Sequence, residues 1–496
     1  MTRSRVAALV ALTVLVGAAG CGRVDTAGEV EFANRLAVPP LAESRIDDQG
    51  RRVFDLRAQA GRHDFGRGGS GQGDGASTWG FDGAYLGPTL RAERGEKVVV
   101  NVVNGLDEET SVHWHGMHLP AEMDGGPHQP IRPGATWSPT WTVDQPAATL
   151  WYHPHPHGET AKHVYRGLAG MFILDDARTE DLALPKRYGV DDFPVIVQDR
   201  NFDDDGELND RQGFGGNGVL GDTVVVNGTV APYLDVTTER VRLRVLNGSN
   251  ARVYTFGFSD GRAFDLIGTD GGLLPAPHEM DRLRLSPGER AEIVVGVRPG
   301  ERTVLRSYPE DSGLDFFNKR FSGAGDTLDV LELRAADRLD RSPAVPARLV
   351  PVERLDPADA VEVREFELAG RKINKKEMDM SRIDTVITKD TTEVWEIIKR
   401  DGSPHSFHVH DVQFQVLSVN GAAPPVELSG WKDTIFLEQG ETVRLIARFA
   451  DYADPDTPYM YHCHVLAHED AGMMGQFVVV EPGQEPGLIS HGHHHG

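Results

Sequence analysis

Tyr461-His462-Cys463-His464-Val465-Leu466-Ala467-His468-Glu469-Asp470-Ala471-Gly472-Met473 carries one thiol, three imidazoles and a thioether within the twelve residues from 462 to 473. Soft sulfur together with imidazole selects copper, and one Cys with two His and a weak axial Met is the ligand set of an electron-transfer copper site. In a strand, residues i and i+2 share a face. His462 and His464 therefore look one way and Cys463 the other. The sulfur can serve one metal while its covalent neighbours serve a second group, which is a short through-bond route between them.

Working outward, the same His-X-His spacing recurs at His113/His115, His153/His155 and His408/His410. On strands, each pair aims two imidazoles at one spot. A lone histidine reads as a surface or core residue, but four pairs, two near each end of the chain, do not. A cluster that collects all eight must lie between the first and last parts of the fold. His405, three residues before His408, and His468, five after Cys463, are spaced to join the sulfur. Met473 offers the thioether, although Met474 stands beside it.

The intervening sequence is punctuated by 55 Gly and 30 Pro, the turn residues of a fold built from short strands. Lys97 to Asn104 is a β-rich run, Val241 to Leu246 alternates apolar and charged, and Thr442 to Phe449 follows suit. Repeated short strands with such turns predict β-sandwiches or barrels. Gly66 to Gly80 reads as a long glycine-rich loop. Asp203-Asp204-Asp205-Gly206 reads as a hairpin turn, because a twelve-residue calcium loop ending in Glu is missing. Charged, turn-rich segments at 176–190 and 336–360 predict boundaries. They divide the chain into a signal at 1–20, a spacer at 21–45, domains at 46–178 and 190–335, a linker at 336–360, a domain at 361–483 and a tail at 484–496. The middle segment has one histidine, His278, and no cysteine, so it is expected to be a copper-free spacer domain. His118, His128, His163 and His278 are read as surface residues, and the His491–His495 run is given no catalytic role.

Arg3 and Arg5, an apolar run from Val6 to Val16 and the small residues before Cys21 read as an export signal. Ala18-Ala19-Gly20-Cys21 resembles a lipobox, which would tether the chain outside the cytoplasmic membrane through Cys21; the alternative is a secretory peptide cleaved nearby. With Cys21 so used, Cys463 has no intrachain partner and disulfides do not hold the protein together. Lys plus Arg number 51 against 75 Asp plus Glu, a formal net charge of −24. A surface this acidic repels phosphate backbones, so nucleic acid is not a partner. Oligomeric state is not legible in these features.

His113-Trp114-His115-Gly116, Trp151-Tyr152-His153-Pro154-His155, His405-Ser406-Phe407-His408-Val409-His410 and the Cys463 run resemble the four copper signatures of the multicopper oxidases. The likeness is to the bacterial three-domain branch of laccases, bilirubin oxidases and copper-efflux oxidases. Tyr85-Leu86-Gly87-Pro88-Thr89, Gly268-Thr269-Asp270-Gly271-Gly272 and Gly430-Trp431-Lys432-Asp433-Thr434 extend it along the chain. The resemblance implies an all-β protein of three consecutive cupredoxin-like Greek-key β-sandwich domains holding four copper ions. By that similarity His405, Cys463, His468 and Met473 bind a type 1 copper, and His113 and His408 a type 2 copper. His115, His153, His155, His410, His462 and His464 would bind a type 3 pair. Asp124 would sit beside the cluster and Glu469 would donate protons to reduced oxygen. All ligand positions are filled, which disfavours the copper-free, non-catalytic relatives of this branch.

The implied activity is an oxidase that couples one-electron oxidation of a small reducing substrate to reduction of O2 to water. A laccase-like oxidation of phenols and aromatic amines is the first reading. A metallo-oxidase acting on Cu(I), Fe(II) or Mn(II) is the second. Copper-efflux relatives carry a Met-rich insert and an Asp-X-Met before the type 1 histidine. Here Asp401 is kept, Ser403 replaces the Met, and Met378-Asp379-Met380 is the nearest approach to a Met-rich block. A copper carrier without oxidase activity is a third reading, opposed by the eight cluster histidines.

Overall fold

The computed structural model describes residues 23–67, 75–212, 216–310 and 322–487. The expected export signal, Cys21 and the His491–His495 run lie outside them. Among the described residues no helix is long and apolar enough to cross a membrane.

Among the described residues six sheets pair into three β-sandwiches along the chain. In the first, a sheet built on Arg52–His63 and Lys97–Asn104 faces the four-stranded order Leu90–Glu93, Gly170–Asp175, Ala148–His153, His113–His115. Phe54, Val100, Trp114, Leu150 and Phe172 fill the space between them. In the middle sandwich a seven-stranded sheet runs through Asp192–Arg200, Arg240–Asn247, Arg290–Gly296 and Phe264–Thr269. It packs on a six-stranded sheet through Val195, Leu243, Tyr254, Ile293 and Leu331. The third has a six-stranded sheet centred on Thr391–Lys399 and Thr442–Phe449. Its partner is the five-stranded order Thr385–Thr388, Met474–Val480, Asp454–Cys463, His405–Val409, Thr434–Leu437.

The three runs with strand periodicity lie in strands, for the expected reason: alternate apolar residues enter a core. Arg240–Asn247 differs in one respect. Its charged residues do not face water; Arg242 and Arg244 are buried. Arg244 Nε and Nη2 donate to the two oxygens of Asp192 at 2.8 and 2.9 Å, and Nη1 donates to Glu292 Oε1 at 3.0 Å and Thr149 Oγ1 at 2.8 Å. The second face of this sheet lies against the first sandwich, so the alternation marks an interface and not a solvent face.

Three segments depart from the sequence reading. Residues 23–45 do not act as a free spacer: Asn34–Arg35 adds a parallel strand beside Pro232–Thr238 of the middle sandwich, and Val24 N–H donates to Asp326. Backbone groups left without partners would be costly, and a sheet edge supplies them. Part of the glycine-rich 66–80 stretch is strand, Ala76–Phe81 pairing antiparallel with Arg52–His63. The 336–360 stretch begins as the end of strand Leu328–Asp340 and continues with Leu349 buried against Leu184, Ile267 and Leu273. The Asp203 turn is a hairpin as read, closed by Phe202 opposite Leu208.

Removing one member of a buried ion pair strands its partners without water, a loss of about 3–5 kcal/mol. Arg244→Met is therefore expected to lower unfolding free energy by that order in urea melts. A change below about 1 kcal/mol would mean that Asp192 and Glu292 find other partners.

Candidate metal centre

The strand register brings the four His-X-His pairs together. His153 pairs with His113 and Trp151 with His115 on neighbouring strands of one sheet of the first sandwich, and His462 pairs with His408 on neighbouring strands of one sheet of the third. His155, His410 and His464 lie just beyond these strand ends. All eight side chains are buried, where the two sandwiches meet. The His113 and His410 rings stack at 3.7 Å between centroids, as do those of His115 and His408. Each stack joins one ring from each end of the chain.

Which nitrogen faces inward is set by what the other touches. A carbonyl oxygen only accepts, so a ring nitrogen bonded to one must carry the proton. His113 Nδ1 donates to Asp124 O at 3.0 Å, His153 Nδ1 to Pro154 O at 2.9 Å, and His408 Nδ1 to Asp433 O at 2.8 Å. His410 Nδ1 donates to Asp124 Oδ2 at 2.7 Å. His462 Nδ1 lies 3.3 Å from Cys463 O and 3.1 Å from Glu469 Oε2. These five rings present Nε2 lone pairs inward. His115 is reversed: its Nε2 donates to Asp433 Oδ1 at 3.0 Å, and Nδ1 faces in.

The inward nitrogens crowd one another. His410 Nε2 and His462 Nε2 are 3.1 Å apart, His155 Nε2 and His462 Nε2 3.3 Å, and His153 Nε2 and His115 Nδ1 3.4 Å. In the His410–His462 and His153–His115 contacts the outer nitrogens already donate, so lone pair opposes lone pair, and cations between them convert repulsion into coordination. His113 Nε2, His408 Nε2 and both nitrogens of His464 have no hydrogen-bond partner. Burial pushes His155 down to about 4 and His464 to about 3, and holds His115, His153, His408 and His410 well below the ordinary histidine range. The rings are thus in the neutral form that binds metal. On donor type, burial and unsatisfied nitrogens, the residues fit a copper cluster.

Asp124, at the end of a short 3-10 turn, touches both sides of it. Its backbone carbonyl serves His113 of the first sandwich and its carboxylate serves His410 of the third. Gly125 makes this turn at φ +78°, where an added Cβ would stand 1.7 Å from Val112 O. Glu469 is buried 3.6 Å from His155 Nε2 as well as beside His462. Burial opposes its ionisation, but those two imidazoles hold its carboxyl well below the usual carboxylate range.

A second group lies on the other face of the strand, as the alternation predicts. Cys463 Sγ is 3.6 Å from both His405 Nδ1 and His468 Nδ1. His405 Nε2 donates to Asp401 Oδ1 at 2.9 Å, which leaves Nδ1 as the lone pair. Burial raises the Cys463 thiol to about 12. A cation is what would hold it as thiolate, since a coordinating thiol is deprotonated outright. The chain leaves Cys463 into the short helix Leu466–Asp470 and returns through Gly472 at φ +88°. Met473 N–H then donates to His468 O, and Met473 O accepts from Cys463 N–H. Met473 belongs to the apolar cluster that contains Cys463, whereas Met474 starts the next strand opposite His462.

Sequence reasoning missed several neighbours. Asp433 and Thr434 contact His115 and His408, and their Gly430–Thr434 stretch had been noted only as a likeness. One histidine read as a surface residue is not: His163 is buried between Thr110 and Glu108, while His118 is half-buried between Asp411 and Asp451. Burial disfavours the charge on His118, yet the two carboxylates raise it to about 9. Their spacing carries no signal, because their partners come from distant sequence.

Two family models described as multicopper oxidase match residues 70–179 and 346–483. The chain is 37% identical to the multicopper oxidase mco of Staphylococcus haemolyticus, over 90% of this chain and 92% of that one. It is 38% identical to the cell division protein FtsP of Yersinia pestis, again over 90% and 92%. The crystal structure of a laccase from Pediococcus acidilactici superposes with a TM-score of 0.81 at 37% identity, covering 90% of this chain and 94% of that one. With the histidine clusters in place and likeness running nearly end to end, this chain belongs to the multicopper oxidase family, and its metal is copper.

Proposed function

We propose that the protein is a laccase-like oxidase with four coppers per chain, taking electrons singly from phenols and aromatic amines and passing them to dioxygen. The observation that carries this reading is the crowding of buried, neutral imidazole nitrogens beside a separate His405-Cys463-His468 group. Copper supplies the redox chemistry: one-electron oxidation at a single ion and four-electron reduction of O2 to water at a three-ion cluster.

The chain's residues divide the work. His405, Cys463 and His468 would hold the type 1 ion, with Met473 as a further sulfur donor. His113 and His408 hold the type 2 ion. His115, His153 and His464 hold one type 3 ion, and His155, His410 and His462 the other. The peptide links from Cys463 to His462 and His464 join the two sites covalently. Burial of all eight cluster rings excludes bulk water from the reducing centre. Asp124 orients His113 and His410 from one turn. Glu469, within 3.6 Å of His155 and 3.1 Å of His462, is placed to relay protons to the cluster, its carboxyl resting ionised and taking one up only in transit. Export and a lipid anchor at Cys21 complete the reading, resting on the N-terminal sequence alone.

Oxidation of Cu(I), Fe(II) or Mn(II) is the second reading, favoured by Asp401. Its carboxylate touches His405 and keeps 25% exposure, so a cation docked there would be one residue from the type 1 ion. The ten methionines form no Met-rich block, which supports the phenol reading. Turnover of a phenol against Cu(I), measured as oxygen uptake by one preparation, decides: preference for Cu(I) by tenfold or more overturns the first reading.

Cys463→Ser is expected to abolish the blue thiolate-to-copper absorption and all donor oxidation; a variant that stays blue places the type 1 site elsewhere. Glu469→Gln is expected to slow oxygen reduction by on the order of 10²-fold with copper content unchanged, the usual weight of a general acid. Wild-type rates in single-turnover reoxidation would remove Glu469 from proton transfer.

Copper-free protein should lose stability in acid. His155, His464 and His468 have folded values of about 4, 3 and 3, below the ordinary 6.5, so the unfolded chain binds more protons between those limits. Their contribution is complete above pH 6.5 and is lost as pH falls toward 4. Asp470 and Asp270, pushed by burial up to about 7 and about 6, and His118, held up to about 9 by Asp411 and Asp451, act in the opposite sense, but the buried histidines with lowered values outnumber them. Urea melts of apo protein at pH 7 and pH 5 should differ by on the order of several kcal/mol; equal midpoints would mean the rings are not buried neutral.

A further inference from the structure

The middle sandwich contributes no histidine to the cluster, yet one of its arginines reaches the cluster's edge. Arg290 opens strand Arg290–Gly296 and is fully buried. All five of its guanidinium N–H groups are used. Nε donates to Thr149 O at 3.0 Å, in the first sandwich. Nη1 and Nη2 donate to Gly288 O and Asp270 O, at 3.1 and 3.0 Å, in its own. The remaining two form a fork onto Asp433 of the third sandwich, both at 2.7 Å. A planar fork on a carboxylate fixes orientation as well as position.

Asp433 in turn fixes two histidines. Its Oδ1 accepts from His115 Nε2, and its backbone carbonyl accepts from His408 Nδ1. The first contact turns Nδ1 of His115 toward the cluster, against the sense of the five rings with assigned Nδ1 acceptors. Thr434 Oγ1 also donates to Asp433 Oδ1, at 2.8 Å. With both oxygens on the guanidinium and one shared with His115, the carboxylate is committed as an acceptor and is not itself placed as a metal ligand. The glycine after His115 bears this out. A Cβ on Gly116, at φ +84°, would stand 2.6 Å from Asp433 Oδ2 and 2.7 Å from Arg290 Nη2, so the pair occupies the space a side chain would need.

We propose that Arg290 is a positioning residue for the copper cluster, by which the middle sandwich sets the ring orientation of His115 through Asp433. This rests on the reading of the eight histidines as copper ligands. It makes the middle sandwich a working part of the site, and it predicts that the cluster can be weakened without touching the type 1 group.

The test compares copper-loaded wild type with Arg290→Met and Asp433→Asn, and with Arg252→Met as control. Arg252 is an equally buried arginine of the middle sandwich, paired with Asp199 and Asp326 away from the histidines. Bound copper at graded free copper, the type 2 paramagnetic resonance signal and the blue type 1 absorption are read on each. Loss of an outer partner of a metal ligand weakens metal binding about 10- to 100-fold. The expected result is at least tenfold weaker cluster copper in both variants, with the type 2 signal altered, the blue band kept, and the control like wild type. Should Arg290→Met not fold, Asp433→Asn carries the comparison, since it keeps the shape. Cluster affinity within twofold of wild type in the folded variants overturns the inference, as does equal loss in the Arg252→Met control. Wild type that binds only type 1 copper instead fails the underlying reading, and the inference with it.

Discussion

Eight imidazoles buried where two sandwiches meet impose the constraint on which the rest depends. Burial holds six of them, His115, His153, His155, His408, His410 and His464, in the neutral form, and a neutral ring has one N–H and one lone pair. Five of the rings place the N–H against an outer acceptor through Nδ1, and His115 does so through Nε2. The lone pairs converge to within 3.1–3.4 Å and so repel one another until cations lie between them. A core of this kind is poor as packing and apt as a ligand cage. The surrounding sandwiches, with large apolar cores, supply the stability that it does not.

The acceptors are as organised as the rings. Asp124 serves one histidine from each sandwich, through its carbonyl and its carboxylate. Asp433 does the same for His408 and His115. Both aspartates therefore join the halves of the cluster while choosing which nitrogen each ring presents. Outer partners of this sort fix tautomer and orientation before any metal arrives. Beside them the His405-Cys463-His468 group uses the same device, with Asp401 on the outer nitrogen of His405.

Charge holds the three sandwiches in place around this centre. Arg244 joins the middle sandwich to the first, and Arg290 joins all three. Lys432 adds contacts to Glu289 at 2.7 Å and Asp270 at 2.9 Å. Buried pairs of this kind add little net stability, because desolvation offsets the attraction. Their value is specificity: a misplaced neighbour would leave a charge unpaired, so only one arrangement of the sandwiches is tolerated.

Strand alternation was legible in the residues. It gave the four His-X-His faces, the opposed direction of Cys463, and the expectation that the two ends of the chain meet, because side-chain period is a local property of a strand. Residues 23–45 and 76–80 were read as spacer and loop because polar or glycine-rich composition does not reveal that a sheet edge is waiting to pair with them. Arg242 and Arg244 alternate with apolar residues, and alternation marks two faces without saying what covers the second. Arg290, Asp433, His163 and His118 left no pattern, since their partners lie tens to hundreds of residues away and are brought near only by packing. The sequence by itself determined which side chains are candidate copper ligands and that Cys463 points away from its two flanking histidines. Tertiary structure alone decided which nitrogen of each ring faces the metal and which distant carboxylate holds it there, because those choices depend on hydrogen bonds between segments that have no fixed relation until the sandwiches assemble.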